Sequence, residues 1–224
     1  MRKALKKRIQ EYIILSKEDS KSMLKKKLFC RVKRTSFPVS IVDYEIKDYL
    51  GENQNIDKLK KYVDNFGNKF KKIHLYLWSN LNGTQKTTVA SWIAKELILK
   101  DFDCQFVLMD TLLKLLVSFN DNQDEINKYL RCDFLVLDDS FDSKKVTVYR
   151  SGYQIPFLDN FLRQRLEGYQ KATCFTSNFS IDSIDESVFG KSICDLVDRN
   201  ISLPMEFNDK VAKKYKFNIE ELWG

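Results

Sequence analysis

The sequence contains few of the residues that build loop-rich or metal-rich proteins: its 224 residues include seven glycines, three prolines and one histidine. The low glycine and proline content excludes collagen-like and linker-rich chains. A single histidine and five scattered cysteines without a CxxC pair do not supply a zinc site. No apolar run approaches the roughly 20 residues that span a bilayer, and no secretion signal opens the chain. We therefore expect a cytoplasmic protein with reduced thiols and no membrane partner.

Positive charge is concentrated at one end of a chain that is otherwise ordinary in composition. Residues 1–34 hold 13 of the 38 Lys and Arg residues but only 3 of the 31 Asp and Glu residues. Within this segment Leu5, Ile9 and Tyr12 recur at helical spacing, which predicts a basic amphipathic helix. Its apolar stripe can dock on the core or in a groove of a partner protein, and the helix can instead lie along phosphates or an anionic membrane. The sequence leaves these three alternatives open.

From residue 73 onward, short apolar runs alternate with amphipathic segments. This alternation predicts an α/β fold in which helices flank a parallel sheet. The predicted strands cover residues 75–78, 106–109, 134–137, 173–176 and 201–203, and the predicted helices cover residues 87–99, 111–119, 125–130 and 155–167.

The loop after the first predicted strand has the features of a phosphate loop. Its sequence approaches the pattern GxxxxGK[ST], in which backbone N–H groups and a helix N-terminus surround phosphates. Lys86 is placed to neutralise the β and γ oxygens, and Thr87 to bind Mg²⁺. Two glycines of the pattern are replaced by Asn80 and Gln85, and Gln85 is the more serious departure because its side chain crowds the γ-phosphate. The predicted nucleotide-binding residues are Asn82, Gly83, Thr84, Gln85, Lys86, Thr87 and Thr88.

Polar residues also follow two later strands. Asp138 and Asp139 end the apolar run that begins at Phe134, and Asn178 ends the sequence Thr-Ser-Asn after the next strand. Parallel strands end at a common edge of the sheet, where open α/β sheets bind their ligands. Asp138 is therefore expected near the Mg²⁺ held by Thr87, and Asp139 near an attacking water.

With these motifs in this order, residues 40–205 resemble the AAA+ ATPases of the DnaC/DnaI helicase-loader and IstB group. The resemblance implies a five-stranded parallel sheet flanked by helices, with a reduced C-terminal lid. It assigns Mg²⁺ binding to Thr87 and Asp138, water activation to Asp139, and a γ-phosphate sensor role to Asn178. Arg199, in a Leu-Val-Asp-Arg sequence, is similar to the arginine finger that reaches the nucleotide of a neighbouring subunit.

The resemblance also implies a domain organisation and a function. Residues 1–65 are expected to form a basic, mainly helical partner-binding region and connector, and residues 66–224 the AAA+ domain. ATP or ADP with Mg²⁺ is expected at subunit interfaces, so that the protein self-associates, engages single-stranded DNA and loads a hexameric replicative helicase. Arg163 and Arg165 are expected to be solvated helix charges, and contacts with DNA or another subunit are the alternative.

The degenerate phosphate loop leaves ATP turnover open, and at most weak ATPase activity is expected. Two other functions remain as alternatives. One is a non-hydrolysing adaptor or inhibitor of a replication protein, and the other is a transposition helper ATPase of the IstB type.

Overall fold

The computed structural model describes residues 23, 25, 26, 28–32, 35–49, 55–144 and 154–208. The predicted amphipathic helix that carries Leu5, Ile9 and Tyr12 lies outside the described residues, as does most of the chain that follows the last strand. No helix within the described ranges is both long enough and apolar enough to cross a membrane.

Strands and helices alternate along the described chain, as the hydrophobic pattern predicts. The strands are β1 (His74–Trp78), β2 (Cys104–Leu108), β3 (Phe134–Asp138), β4 (Ala172–Ser177) and β5 (Ile201–Glu206). The helices are α1 (Asn55–Asn65), α2 (Lys86–Leu99), α3 (Met109–Val117), α4 (Phe119–Arg131), α5 (Gln154–Arg163) and α6 (Glu186–Asn200). Short 3₁₀ turns at Val39–Val42 and Ile46–Asp48 precede α1, and five-residue π turns follow α1 and α5.

The five strands form one parallel sheet in the order β2-β3-β4-β1-β5. The predicted α/β fold with a five-stranded parallel sheet is therefore confirmed. Every residue of β3 and β4 is buried, as expected for parallel strands covered on both faces. The order places β4 between β1, which carries the phosphate loop, and β3, which ends in the acidic pair.

Alternate residues of each central strand pack into two separate hydrophobic layers. In β3, Phe134 and Val136 join the layer that contains α1 and α2. Leu135 and Leu137 join the layer that contains α3 to α6. This two-residue period is the geometric consequence of the pleat, and it gives the sheet a hydrophobic core on each face.

A connector formed by residues 35–49 lies against the first of these layers. Phe37 and Ile41 are buried in the same cluster as α2, and Leu28 and Val32 join them from the preceding segment. Lys95 is only 5% exposed and donates from Nζ to the backbone carbonyl of Tyr44. Since α2 is thus covered by the sheet on one side and by the connector on the other, most of its residues are buried. The proposed domain boundary at residue 65 stays a prediction.

Several predicted element boundaries differ from those in the structure. Met109 begins α3 rather than ending β2. The predicted helix over residues 155–167 stops at Arg163, where the backbone widens into a π turn. The hydrophobic pattern does not reveal the end of β2, because Leu108 and Met109 are both apolar. It also does not distinguish α5 from the π turn that follows it.

Both interpretations of Arg165, a solvated helix charge and a contact with DNA or another subunit, are wrong. Its side chain is fully buried in the π turn and donates to the carbonyl oxygens of Tyr129, Leu130, Cys132 and Ala172 and to the hydroxyl of Thr173, at distances of 2.5 to 3.2 Å. Three of these carbonyls lie at the C-terminal end of α4, where a cation is stabilised by the helix dipole. Arg165 therefore joins the end of α4 to the start of β4.

Candidate functional site

The loop between β1 and α2 adopts the backbone that a phosphate loop requires. Gly83 has a φ of 76°, and Gln85 caps α2 with φ 63° and ψ 19°. This left-handed conformation costs a non-glycine residue roughly 1–2 kcal/mol. Gln85 therefore holds, at a glycine position of the sequence pattern, a conformation that glycine adopts readily, and the first N–H groups of α2 lie at the end of the loop.

Lys86, the first residue of α2, is held within the loop. It is 8% exposed, and its Nζ lies 3.2 Å from the hydroxyl oxygen of Thr84 and 3.4 Å from the carbonyl oxygen of Leu81. Burial lowers the pKa of Lys86, while the charges of Asp139 and Asp138 oppose that shift. An anion bound in the loop would compensate the desolvated ammonium group, so this position favours a phosphate ligand.

The carboxylate of Asp138 connects three elements at the carboxyl edge of the sheet. Its Oδ1 accepts a hydrogen bond from the Thr87 hydroxyl at 2.8 Å and another from the Thr176 hydroxyl. Burial raises the pKa of Asp138, and these two hydrogen bonds act against the increase. The contact with Thr87 brings together the start of α2 and the end of β3, as the sequence motifs predict.

Thr176 is a site residue that the sequence pattern does not single out. Its hydroxyl oxygen also accepts a hydrogen bond from the backbone N–H of Asp139 at 3.1 Å. One side chain therefore orients both acidic residues, and it can do so because β4 lies between β1 and β3. The Thr-Ser-Asn motif is visible in the sequence. The role of Thr176 could not be predicted from it, because that role depends on the order of the strands in the sheet.

A cavity of about 720 Å³ opens at this edge of the sheet. Nine of the predicted site residues line it: Asn82, Gly83, Thr84, Gln85, Lys86, Thr87, Thr88, Asp139 and Asn178. Residues that sequence reasoning missed form the rest of the lining, and these are Pro38, Ser40, Ile41, Asp43, Tyr44, Asp48, Ser91 and Thr176. Most of the missed residues belong to the connector, whose irregular sequence carries no recognisable binding pattern.

Arg199 lies away from the cavity of its own chain. It is the penultimate residue of α6, which ends just before Ile201, and Ile201 pairs with His74 at the opposite end of β1 from the phosphate loop. The guanidinium group makes two hydrogen bonds to Oε1 of Glu167, at 2.7 and 3.0 Å. Its side chain is half exposed, so Arg199 is presented at the amino edge of the sheet.

The donor set at the carboxyl edge suits Mg²⁺ better than a transition metal. No group of three or more His, Cys, Asp or Glu residues capable of holding a metal occurs within the described part of the chain. Mg²⁺ instead binds to one or two carboxylates together with phosphate oxygens and water. The carboxylate of Asp138 and the hydroxyl of Thr87 place two oxygen atoms next to the loop between β1 and α2, the kind of donor that such an ion prefers.

We predict that Thr176→Val weakens the Mg²⁺-dependent component of nucleotide binding by about tenfold, because Val keeps the shape but cannot orient Asp138. Thr176→Ser retains the hydroxyl and should restore most of the affinity. Mg²⁺ titrations at fixed ATP concentration measure the effect for wild type and both variants. Equal Mg²⁺ dependence in wild type and Thr176→Val would contradict the positioning role.

No protein-family model matches the chain. Its sequence also has no match among curated proteins. Comparison with solved structures does give matches. A crystal structure of DnaI has a TM-score of 0.62 at 18% identity and covers 78% of this chain and 93% of its own.

Two further structures extend this likeness. A crystal structure of the DnaC helicase loader has a TM-score of 0.58 at 18% identity, over 75% of this chain and 96% of its own. A structure of the replication initiator DnaA bound to AMPPCP and single-stranded DNA has a TM-score of 0.58 at 15% identity. That match covers 79% of this chain but 53% of the DnaA chain. At these identities the likeness shows the fold alone, and the predicted α/β fold with a five-stranded parallel sheet flanked by helices is confirmed.

Proposed function

We propose that the protein is a helicase loader that binds ATP with Mg²⁺ and acts during DNA replication. The observation that carries the proposal is the contact of the Thr87 hydroxyl with Asp138, which joins the phosphate loop to the acidic strand end beside one cavity. The structural likeness to the DnaI and DnaC proteins supports the loader role. The AMPPCP bound to the similar DnaA protein supports ATP as the ligand class.

Different residues of the cavity would bind different parts of the nucleotide. Lys86 and the N–H groups at the start of α2 hold the β- and γ-phosphates, and Thr87 and Asp138 hold Mg²⁺. The metal ion neutralises phosphate charge when it is bound. Asp139 and Asn178 line the same cavity, where a carboxylate can accept a proton from water and an amide can donate to the γ-phosphate.

In this proposal Arg199 acts on the nucleotide of a neighbouring subunit. An arginine at the amino edge of the sheet cannot serve the carboxyl edge of its own chain, because five residues of extended strand separate the two edges by about 13 Å. A second copy that places its amino edge against this cavity would supply Arg199 in trans. Hydrolysis would then depend on self-association, and the hydrogen bonds to Glu167 would open on assembly.

Gln85 sets the rate of turnover in this proposal. We predict that Gln85→Gly raises the ATPase rate or the ATP affinity by about three- to tenfold, because glycine relieves the left-handed strain and removes a side chain beside the γ-phosphate. Steady-state phosphate release and ATP titrations of the two proteins test this. A lower activity in Gln85→Gly would indicate that the carboxamide participates in binding.

Binding of single-stranded DNA is tested with a fluorescein-labelled oligothymidylate. Anisotropy titrations compare wild type and Lys86→Ala without nucleotide, with ADP, and with ATP and Mg²⁺, at two salt concentrations. The proposal expects ATP to raise the affinity of wild type but not of Lys86→Ala. Absence of DNA binding in every nucleotide state would overturn the DNA-loading role.

A second candidate is a non-hydrolysing adaptor or inhibitor of a replication protein, and the side chain of Gln85 at a glycine position of the phosphate-loop pattern favours it. The adaptor would bind nucleotide, or no ligand, without turnover. The test is the ATPase rate of the wild-type protein with DNA and at high protein concentration. If that rate stays at background and Gln85→Gly restores it, the result would support this alternative.

A further inference from the structure

Ser91 of α2 lines the cavity and carries a buried hydroxyl that has no assigned role in phosphate binding. Ser91 is only 1% exposed, and its Oγ has no hydrogen-bond partner among the described residues. Buried polar groups in proteins are normally hydrogen-bonded, and an exception requires an explanation. A ligand that occupies the cavity and hydrogen-bonds Oγ would provide one.

The position of Ser91 along α2 specifies which part of a ligand it can reach. Ser91 lies three residues after Thr88 and four after Thr87, so all three lie on the same face of the helix. The phosphates are held at the first turn, and Ser91 is about 5 Å further along the axis. The atoms nearest to Ser91 are therefore those beyond the phosphates, in the nucleoside half of the ligand.

The wall that faces α2 across the cavity suits a flat, partly apolar group. The connector contributes Pro38 and Ile41 to the lining, together with polar residues of the same segment. The hydrogen bond from Lys95 to the Tyr44 carbonyl fixes this segment to α2 one turn beyond Ser91. A volume of about 720 Å³ is within the range of sites for whole small-molecule ligands, roughly 300–1,000 Å³, and exceeds what phosphates alone would need.

We propose that Ser91 is a specificity-determining residue that hydrogen-bonds the base of the bound nucleoside triphosphate, with the base between α2 and the connector. A hydroxyl both donates and accepts, so it can pair with an edge that carries a ring nitrogen and an exocyclic amine, as adenine does. The inference rests on the proposed nucleotide-binding function and adds the residue that distinguishes a nucleotide from a bare polyphosphate.

The test compares ATP with inorganic tripolyphosphate, both with Mg²⁺, by calorimetric titration of the full chain. Ser91→Ala should lower the affinity for ATP by about five- to tenfold, the loss expected for one hydrogen bond. Its affinity for tripolyphosphate should be unchanged. Ser91→Val should lower ATP affinity further, because its two methyl groups occupy the space of the base edge. Ser183→Ala removes an exposed hydroxyl elsewhere and should match wild type with both ligands.

The outcomes separate this inference from the proposed function. If Ser91→Ala binds ATP as wild type does, the role of Ser91 is overturned while nucleotide binding stands. If ATP and tripolyphosphate affinities fall equally, Ser91 supports the phosphate loop rather than the base, which also overturns it. If wild type binds neither ligand, the proposed function fails and the role of Ser91 fails with it.

Discussion

Replacing Arg165 with methionine should lower the free energy of unfolding by about 3–5 kcal/mol, because several buried acceptors lose a charged hydrogen-bond donor at once. The side chain is fully buried and makes five hydrogen bonds, four of them to backbone carbonyls. Methionine fills a similar volume but donates to none of these acceptors, and each buried acceptor that loses its partner costs about 1–3 kcal/mol.

Arg163 provides the matched control because it lies one position before the same π turn. Its side chain is 39% exposed and pairs with Asp159 at 2.9 Å, and exposed ion pairs contribute about 0–1 kcal/mol. Urea denaturation of both variants measures the difference. If Arg165→Met loses no more stability than Arg163→Met, the structural role assigned to Arg165 is wrong. If Arg165→Met does not fold, Arg165→Lys, which keeps the charge but fewer donors, should show an intermediate loss.

Asp138→Asn should abolish most of the gain in ATP affinity that Mg²⁺ provides, a loss of about 10- to 100-fold. Asparagine keeps the size of the side chain but lacks the charge that a hard cation requires. Binding of ATP without Mg²⁺ should change little, since Lys86 and the start of α2 remain. Titration of fluorescent ATP with and without Mg²⁺ measures both quantities, and an unchanged Mg²⁺ dependence in the variant would contradict the assigned role.

The pH dependence gives a second measurement of the same residue. Burial raises the pKa of Asp138, so the carboxylate becomes protonated at a less acidic pH than an ordinary aspartate. Mg²⁺ needs the deprotonated form. As the pH falls, Mg²⁺-dependent binding by wild type should therefore weaken at a higher pH than an ordinary aspartate would give. Asp138→Asn should lack this pH dependence.

The sequence predicts the sheet and the strand-end residues because both follow from short-range rules. Apolar runs identify strands, and parallel strands collect their carboxyl ends at one edge, which brings Thr87 to Asp138. Strand order depends instead on long-range packing. The function of Thr176 is visible only once β4 is placed between β1 and β3.

Two other features could not be predicted for different physical reasons. Arg165 has the sequence context of a solvent-exposed helix charge, and only the end of α4 packed against it reveals its role. The connector contains two short 3₁₀ turns with no apolar period, so nothing in its sequence indicates that it lines the cavity.

Gln85 illustrates the opposite case: its replacement of glycine suggests a distorted loop, but the backbone there is left-handed as the motif requires.

The central claim is that the cavity at the carboxyl edge binds a nucleoside triphosphate through Lys86. The most direct measurement is the affinity of wild type, Lys86→Ala and the exposed-lysine control Lys60→Ala for ATP with Mg²⁺. We predict that wild type and Lys60→Ala bind alike and that Lys86→Ala binds about 10- to 100-fold more weakly, because one charge-assisted contact is removed. No binding by wild type, or equal binding by Lys86→Ala, would contradict the account.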